Sequence, residues 1–119
     1  MTTPMRTTAA ITAVQGYLPE FRLTNQVLET LVETNDAWIT ERTGIKRRHM
    51  AAEGENTSDM ALQASLKALE MAKTLPNELD CIIVGTISGD VQMPATAAYL
   101  AHKLGAKKAF AFSIQVRLQ

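Results

Sequence analysis

Trp38 and Arg42 stand four residues apart in the segment Thr34 to Arg42 (TNDAWITER). On a helix that spacing puts both side chains on one face. An indole beside a planar guanidinium makes a slot for a flat aromatic ring, because both groups stack and the ring face attracts a cation. Arg42, Lys46, Arg47 and Arg48 place four cations within seven positions. Slot and cations together describe a site for a nucleotide with phosphates attached. The same residues also fit a plainer arrangement, an intrahelical cation–π contact followed by a solvated basic turn.

Other residues offer less chemistry. Cys81 is the only thiol. It begins an apolar run with no histidine nearby in sequence, so a small buried hydrophobe is expected there; the alternative is a nucleophile served by a distant histidine. His49 follows two arginines and His102 adjoins Lys103. Neither has a second ligand at metal-binding spacing, so no metal site is expected. No glycine-rich phosphate loop occurs.

The elements that would carry these residues follow from periodicity and punctuation. Ala9 to Val14 (AAITAV), before Gly16 and Pro19, reads as a first strand. Thr24 to Glu33 aligns Val27, Leu28, Leu31 and Val32 on one helical face, with Thr24 or Asn25 as N-cap. Thr34 to Arg42 restarts as a second short helix that stops at Gly44. Ile45 to Ala52 is strand or loop, and Glu53 to Thr57 is a turn. Ser58 to Lys73 is the strongest helix; apart from the polar stripe Asp59, Gln63, Lys67 and Glu70 it is mostly Ala, Leu and Met, which predicts burial over most of its girth. Asp80 to Thr86 is a continuous apolar run suited to a strand covered on both faces. Pro94 fits the first turn of a helix over Ala95 to Leu104 closed by Gly105, and Ala109 to Ile114 forms a third strand. This alternation predicts an α/β fold, βαβαβ, with mainly parallel strands.

Composition narrows the function classes. The 119 residues suffice for one small domain, and 46% hydrophobic with 20% charged residues is globular composition. Twelve basic and twelve acidic residues give no net charge, which disfavours a nucleic-acid partner. No apolar run approaches the ~20 residues of a membrane span. The polar start, Met1 to Arg6, lacks a signal-peptide core. A cytoplasmic protein without membrane contact is expected. Residues 1–8 read as a loose leader. Residues 9–119 read as an incomplete domain, because the third strand is reached just before the sequence stops and its sheet would lack cover.

The segment Thr34 to Ala51 (TNDAWITERTGIKRRHMA) resembles the signature of β-ketoacyl-acyl carrier protein synthase III, in which D-T-S-D-E-W-I-x-x-R-T-G-I-x-x-R-H-I-A occurs. Gly16-Tyr17-Leu18-Pro19, Thr24-Asn25 and the stretch Asp80 to Pro94 extend the resemblance over about Ala9 to Phe112. It implies a partial thiolase-like fold, the N-terminal portion of a condensing enzyme normally paired as a homodimer. Such enzymes join an acyl-CoA primer to malonyl-acyl carrier protein. Coenzyme A enters as a substrate thioester, with no resident cofactor. The resemblance further implies that Trp38 and Arg42 sandwich the adenine of coenzyme A and that Thr34 contacts it. Ile87 would line the acyl pocket, where relatives often have Thr. Met93 would stand at the dimer interface, where Phe is common, and reach the other subunit's pocket; the thinner, more flexible Met leaves room for a longer primer.

The family's Cys nucleophile lies shortly after the third strand in an A-A-C-x-G-F pattern, and its His and Asn come from the second half. Here Ser113 leads into Ile114 to Gln119, with Leu118 about where the nucleophile would be. Cys81 comes too early to replace it. No catalytic residue is assigned, and the chain alone is expected to be inactive. Three alternatives remain: a non-catalytic coenzyme A-binding or dimerisation fragment, the first part of another thiolase-fold synthase, and a structural α/β domain in which Trp38 and Arg42 only pack.

Overall fold

A strand, β1 (Phe21–Thr24), runs directly into a one-turn helix, α1 (Asn25–Glu29), because Thr24 ends the extended segment and caps the helix with its hydroxyl. These elements come from a computed structural model that describes residues 3–6 and 8–115. Helix α2 (Asp36–Thr43) follows, then strand β2 (Arg47–Met50), which returns antiparallel to β1 with Phe21 opposite Met50 and Thr24 opposite Arg47. The ambiguous basic segment is therefore a strand, and β1 is an element that the helical reading of Thr24 to Glu33 did not contain. That helix is also shorter than its apolar spacing predicts. The Thr30 hydroxyl donates to the Val27 carbonyl at 2.6 Å, and Glu29 accepts from the Asp36 N–H at 2.5 Å. Both contacts favour a turn over further helix, and Leu31 and Val32 lie exposed.

The second half is built on helix α3 (Thr57–Ala72), strand β3 (Cys81–Gly85), helix α4 (Thr96–Leu104) and strand β4 (Phe110–Ile114). A 3₁₀ turn at Pro76–Glu78 breaks α3 from β3. β3 and β4 pair in parallel, Cys81 opposite Phe110 and Gly85 opposite Ile114, with α4 as the crossover. Ile82 and Val84 of β3, Ala97 and Leu100 of α4, and Ala106 form the core, with Ala61 and Leu62 of α3 packed against it. Small residues at these contacts let α4 approach the sheet closely and α3 approach α4. Gly105 ends α4 at φ 70°, a left-handed cap that disfavours a side chain.

Four expectations are corrected. Ala9 to Val14 forms no strand; no described strand pairs with it, and Ile11 and Val14 are exposed. Its composition supplies β-propensity, but a strand needs a hydrogen-bonded neighbour. β3 is covered on one face only: Ile82 and Val84 are buried while Ile83 is 56% exposed. α3 is not buried over most of its girth, since only Ser58 is fully enclosed and Leu66 and Met71 face outward. Among the described strands one pair is parallel and the other antiparallel, rather than mainly parallel.

Residues 15–17 lie along α3. The Tyr17 hydroxyl donates to Glu55 at 2.6 Å, and the Lys67 ammonium sits 5.8 Å from the Tyr17 ring centroid. The accessible surface is 9777 Å², against about 6,300 Å² for a compact monomer of this mass. The radius of gyration is 18.5 Å, against roughly 13–14 Å for a compact domain of this length. Much of the excess is apolar: Ile83, Phe110, Phe112 and Ile114 crowd the uncovered side of the β3–β4 sheet, where the two Phe rings stack at 6.1 Å. The purified chain should therefore bind hydrophobic dyes and self-associate at micromolar concentration. A monodisperse monomer that leaves such dyes dark would contradict this.

Candidate functional site

α2 is placed by its caps. The Asn35 side chain accepts the Trp38 N–H at 2.8 Å, and Gly44 turns the chain away at φ 70°. Ile39 is the buried residue of the helix, and the exposed face flanking it carries Trp38, 52% exposed, and Arg42. Arg42 sits in the last turn, where a cation complements the helix dipole. Its guanidinium carbon is 5.0 Å from the Trp38 ring centroid. The spacing argument thus finds its pair in contact. A flat ring between them, in contact with both, needs roughly 7–8 Å, so the 5.0 Å contact leaves no room for one while the two side chains touch. An exposed cation–π contact contributes only ~0.5–1 kcal/mol, and Arg42 takes part in neither ion pair among the described residues. Arg42 can swing aside at little expense. Trp38 also borders a groove of about 250 Å³ with Glu33, Thr34 and Asn35.

The cationic cluster divides. Lys46 and Arg47 are exposed beyond α2, whereas Arg48 turns inward. Arg48 donates through Nη2 to Asn25 Oδ1 at 3.2 Å, and its Nη1 is buried without a partner. Arg48 is therefore a structural cation, and Arg42, Lys46 and Arg47 are the exposed members of the cluster. Asn25, fully buried, is the residue whose role the spacing arguments missed, since they offered it only as a possible helix N-cap.

The second candidate region is the loop from Thr86 to Ala95. With Thr96, Ser113 and Gln115 it lines an open cavity of about 660 Å³, and Ile87 is among the lining residues. Met93 does not line it and is 83% exposed, so Ile87 and Met93 are not brought together within one chain. The loop is held at its middle. Asp90 accepts from the Ser58 N–H at 2.8 Å and, through its other oxygen, from the Ser58 hydroxyl. Lys103 donates to Ser58 Oγ and to Asp59, each at 2.6 Å. A Cβ at Gly89 would collide with the Thr96 hydroxyl, which explains the glycine there.

Cys81 is half-buried at the start of β3, and His49 is occupied by donating from Nδ1 to the Pro19 carbonyl at 2.5 Å. His102 is exposed. Leu118, with the rest of 116–119, lies outside the described residues, as do 1, 2 and 7 of the leader.

No protein-family model matches the chain. A β-ketoacyl-[acyl-carrier-protein] synthase III from Desulfitobacterium hafniense is 51% identical over 105 residues, 88% of this chain and 32% of that protein. The crystal structure of the 3-oxoacyl-[acyl-carrier-protein] synthase III from Aquifex aeolicus superposes with a TM-score of 0.83 at 44% identity, covering 89% of this chain and 34% of that one. A priming β-ketosynthase of a polyketide biosynthetic pathway gives 0.85 at 32% identity, over 98% of this chain and 35% of its own. The architecture is part of a thiolase-like α/β fold. In sequence and structure the chain is similar to part of β-ketoacyl-[acyl-carrier-protein] synthase III, and it spans about a third of the length of the relatives it matches. No helix among the described residues is long and apolar enough to cross a membrane.

The Asp59 carboxyl is held below its ordinary value, chiefly by the hydrogen bond from Lys103 and then by the Asn56 N–H. A depressed folded-state pKa stabilises the fold above the unfolded value of about 4, and that contribution is lost as pH falls through the folded value. Asp59→Asn should therefore lower the thermal midpoint of the helix signal at pH 7 and make progressively less difference below about pH 4. An undiminished difference at the acid end would show that the charge is irrelevant.

Proposed function

We propose that this chain carries the coenzyme A-recognition face and part of the primer pocket of a fatty-acid-initiating condensing enzyme. The reaction joins an acyl-CoA primer to malonyl-acyl carrier protein and releases coenzyme A and CO₂. In this reading Trp38 and Arg42 stack on the adenine, Thr34 meets its edge, and Lys46 and Arg47 offer charge to the phosphates. Ile87 borders the primer cavity, and Met93 extends toward the other subunit of a homodimer, which fits its exposure and its absence from its own chain's cavity.

The chemistry of condensation needs a thiolate to accept the acyl group and donors to polarise the malonyl thioester carbonyl. No described residue is assigned either task. Cys81 begins a β-strand and His49 is already engaged by Pro19. The chain by itself binds rather than condenses. A priming role in polyketide synthesis uses the same coenzyme A recognition; the higher identity to the fatty-acid synthases favours the fatty-acid reading.

The observation that carries the proposal is the exposed Trp38–Arg42 pair beside the Thr34 groove. Trp38 is the only tryptophan, so its fluorescence reports on the slot without interference. Titration with coenzyme A should change Trp38 emission saturably, and Arg42→Ala should weaken binding by roughly 5- to 150-fold, the range of ~1–3 kcal/mol for stacking on a base. Unchanged emission at millimolar coenzyme A would remove the assignment.

A further inference from the structure

The side chain of Asn25 is completely enclosed and all its hydrogen-bonding directions point at the segment that carries the slot. Its Nδ2 donates to Asp36 Oδ1 at 2.7 Å and to the Ile45 carbonyl at 2.8 Å, while Oδ1 accepts from Arg48 at 3.2 Å. Its backbone N–H donates to the Lys46 carbonyl at 3.1 Å. Asp36 is the first residue of α2, and Ile45 follows Gly44, which caps the other end. One amide therefore grips α2 at both termini. The helix is only eight residues long and buries a single residue, Ile39, so apolar packing gives it little resistance to rolling or sliding.

We propose that Asn25 is the positioning residue of the adenine slot, fixing the roll of α2 so that Trp38 stays beside the Thr34 groove while Arg42 alone moves to admit a base. The role rests on the reading that the slot holds the adenine of coenzyme A. The chemistry requires an amide. Two donors and an acceptor are used, and no other side chain of this size offers both. Asp in its place would keep the shape and the contact to Arg48, but would set a carboxylate against Asp36 and against the Ile45 carbonyl.

The test uses Trp38 emission in the full chain, titrated with coenzyme A and with adenosine 3′,5′-bisphosphate, its nucleotide portion. Asn25→Asp should weaken both ligands about tenfold or more while the far-UV helix signal persists, as expected when hydrogen bonds to a charged group are lost. Adding Asp36→Asn restores one amide–carboxylate hydrogen bond with the roles exchanged, and should recover part of the affinity. A merely structural residue would show no such recovery. If Asn25→Asp does not retain helix, Asp36→Ala decides: it removes the amide's partner on α2 from a half-buried position, and should weaken both ligands severalfold. Wild-type affinity in Asn25→Asp, or in Asp36→Ala where that variant decides, with Arg42→Ala still impaired, would overturn the positioning role and leave the adenine reading standing. Wild-type affinity in Arg42→Ala would overturn the adenine reading itself, and the positioning role with it.

Discussion

The largest fully buried side chains are Asn25 and Ser58, and both are polar. A buried polar group without partners costs several kcal/mol on the harshest reference scale, so each must be surrounded by matching donors and acceptors. That requirement does in this chain what apolar packing does elsewhere. Asn25 draws in Asp36, Ile45 and Arg48, and so sets where α2 lies. Ser58 draws in Asp90 and Lys103, and so sets where the Thr86 to Ala95 loop lies against the start of α3. The apolar core is small, five buried residues around β3 and α4, and none of them touches the slot. Helix α2 and the cavity rim each hang on a hydrogen-bonded hub.

The two hubs leave different freedoms. Around Asn25 the backbone is held while the outward side chains, Trp38 and Arg42, rest against each other. On the proposed reading, stacking of a base would replace this weak cation–π contact. Around Ser58 the loop is pinned at Asp90 while Ile87, Val91 and Met93 stay exposed on either side. The β3–β4 sheet likewise presents an apolar face, Ile83, Phe110, Phe112 and Ile114, that is left exposed among the described residues.

Local signals were well represented in the sequence. Asn35 and Gly44 bracket α2, Gly105 closes α4, and the apolar runs become β3 and β4 nearly residue for residue, because caps and short-range periodicity act within a few positions. The Trp38–Arg42 contact was legible for the same reason, being a pair on one helical face. What depends on distant partners was not legible. Ala9 to Val14 has the composition of a strand and no neighbour to pair with among the described strands. β1 exists only because Arg47 to Met50 returns beside it. The burial of α3 was overestimated because composition reports what a surface would accept and not what covers it. Asn25 looked like a capping residue; its three-way grip joins positions up to 23 apart.

The central claim is that a base stacks on Trp38 beneath Arg42. Intermolecular nuclear Overhauser effects between coenzyme A and the chain test it directly, since the single indole gives an unambiguous set of resonances. The account predicts contacts from the adenine H2 and H8 protons to the Trp38 ring, with further contacts to Thr34. Adenine contacts confined to other residues at saturating coenzyme A would contradict it.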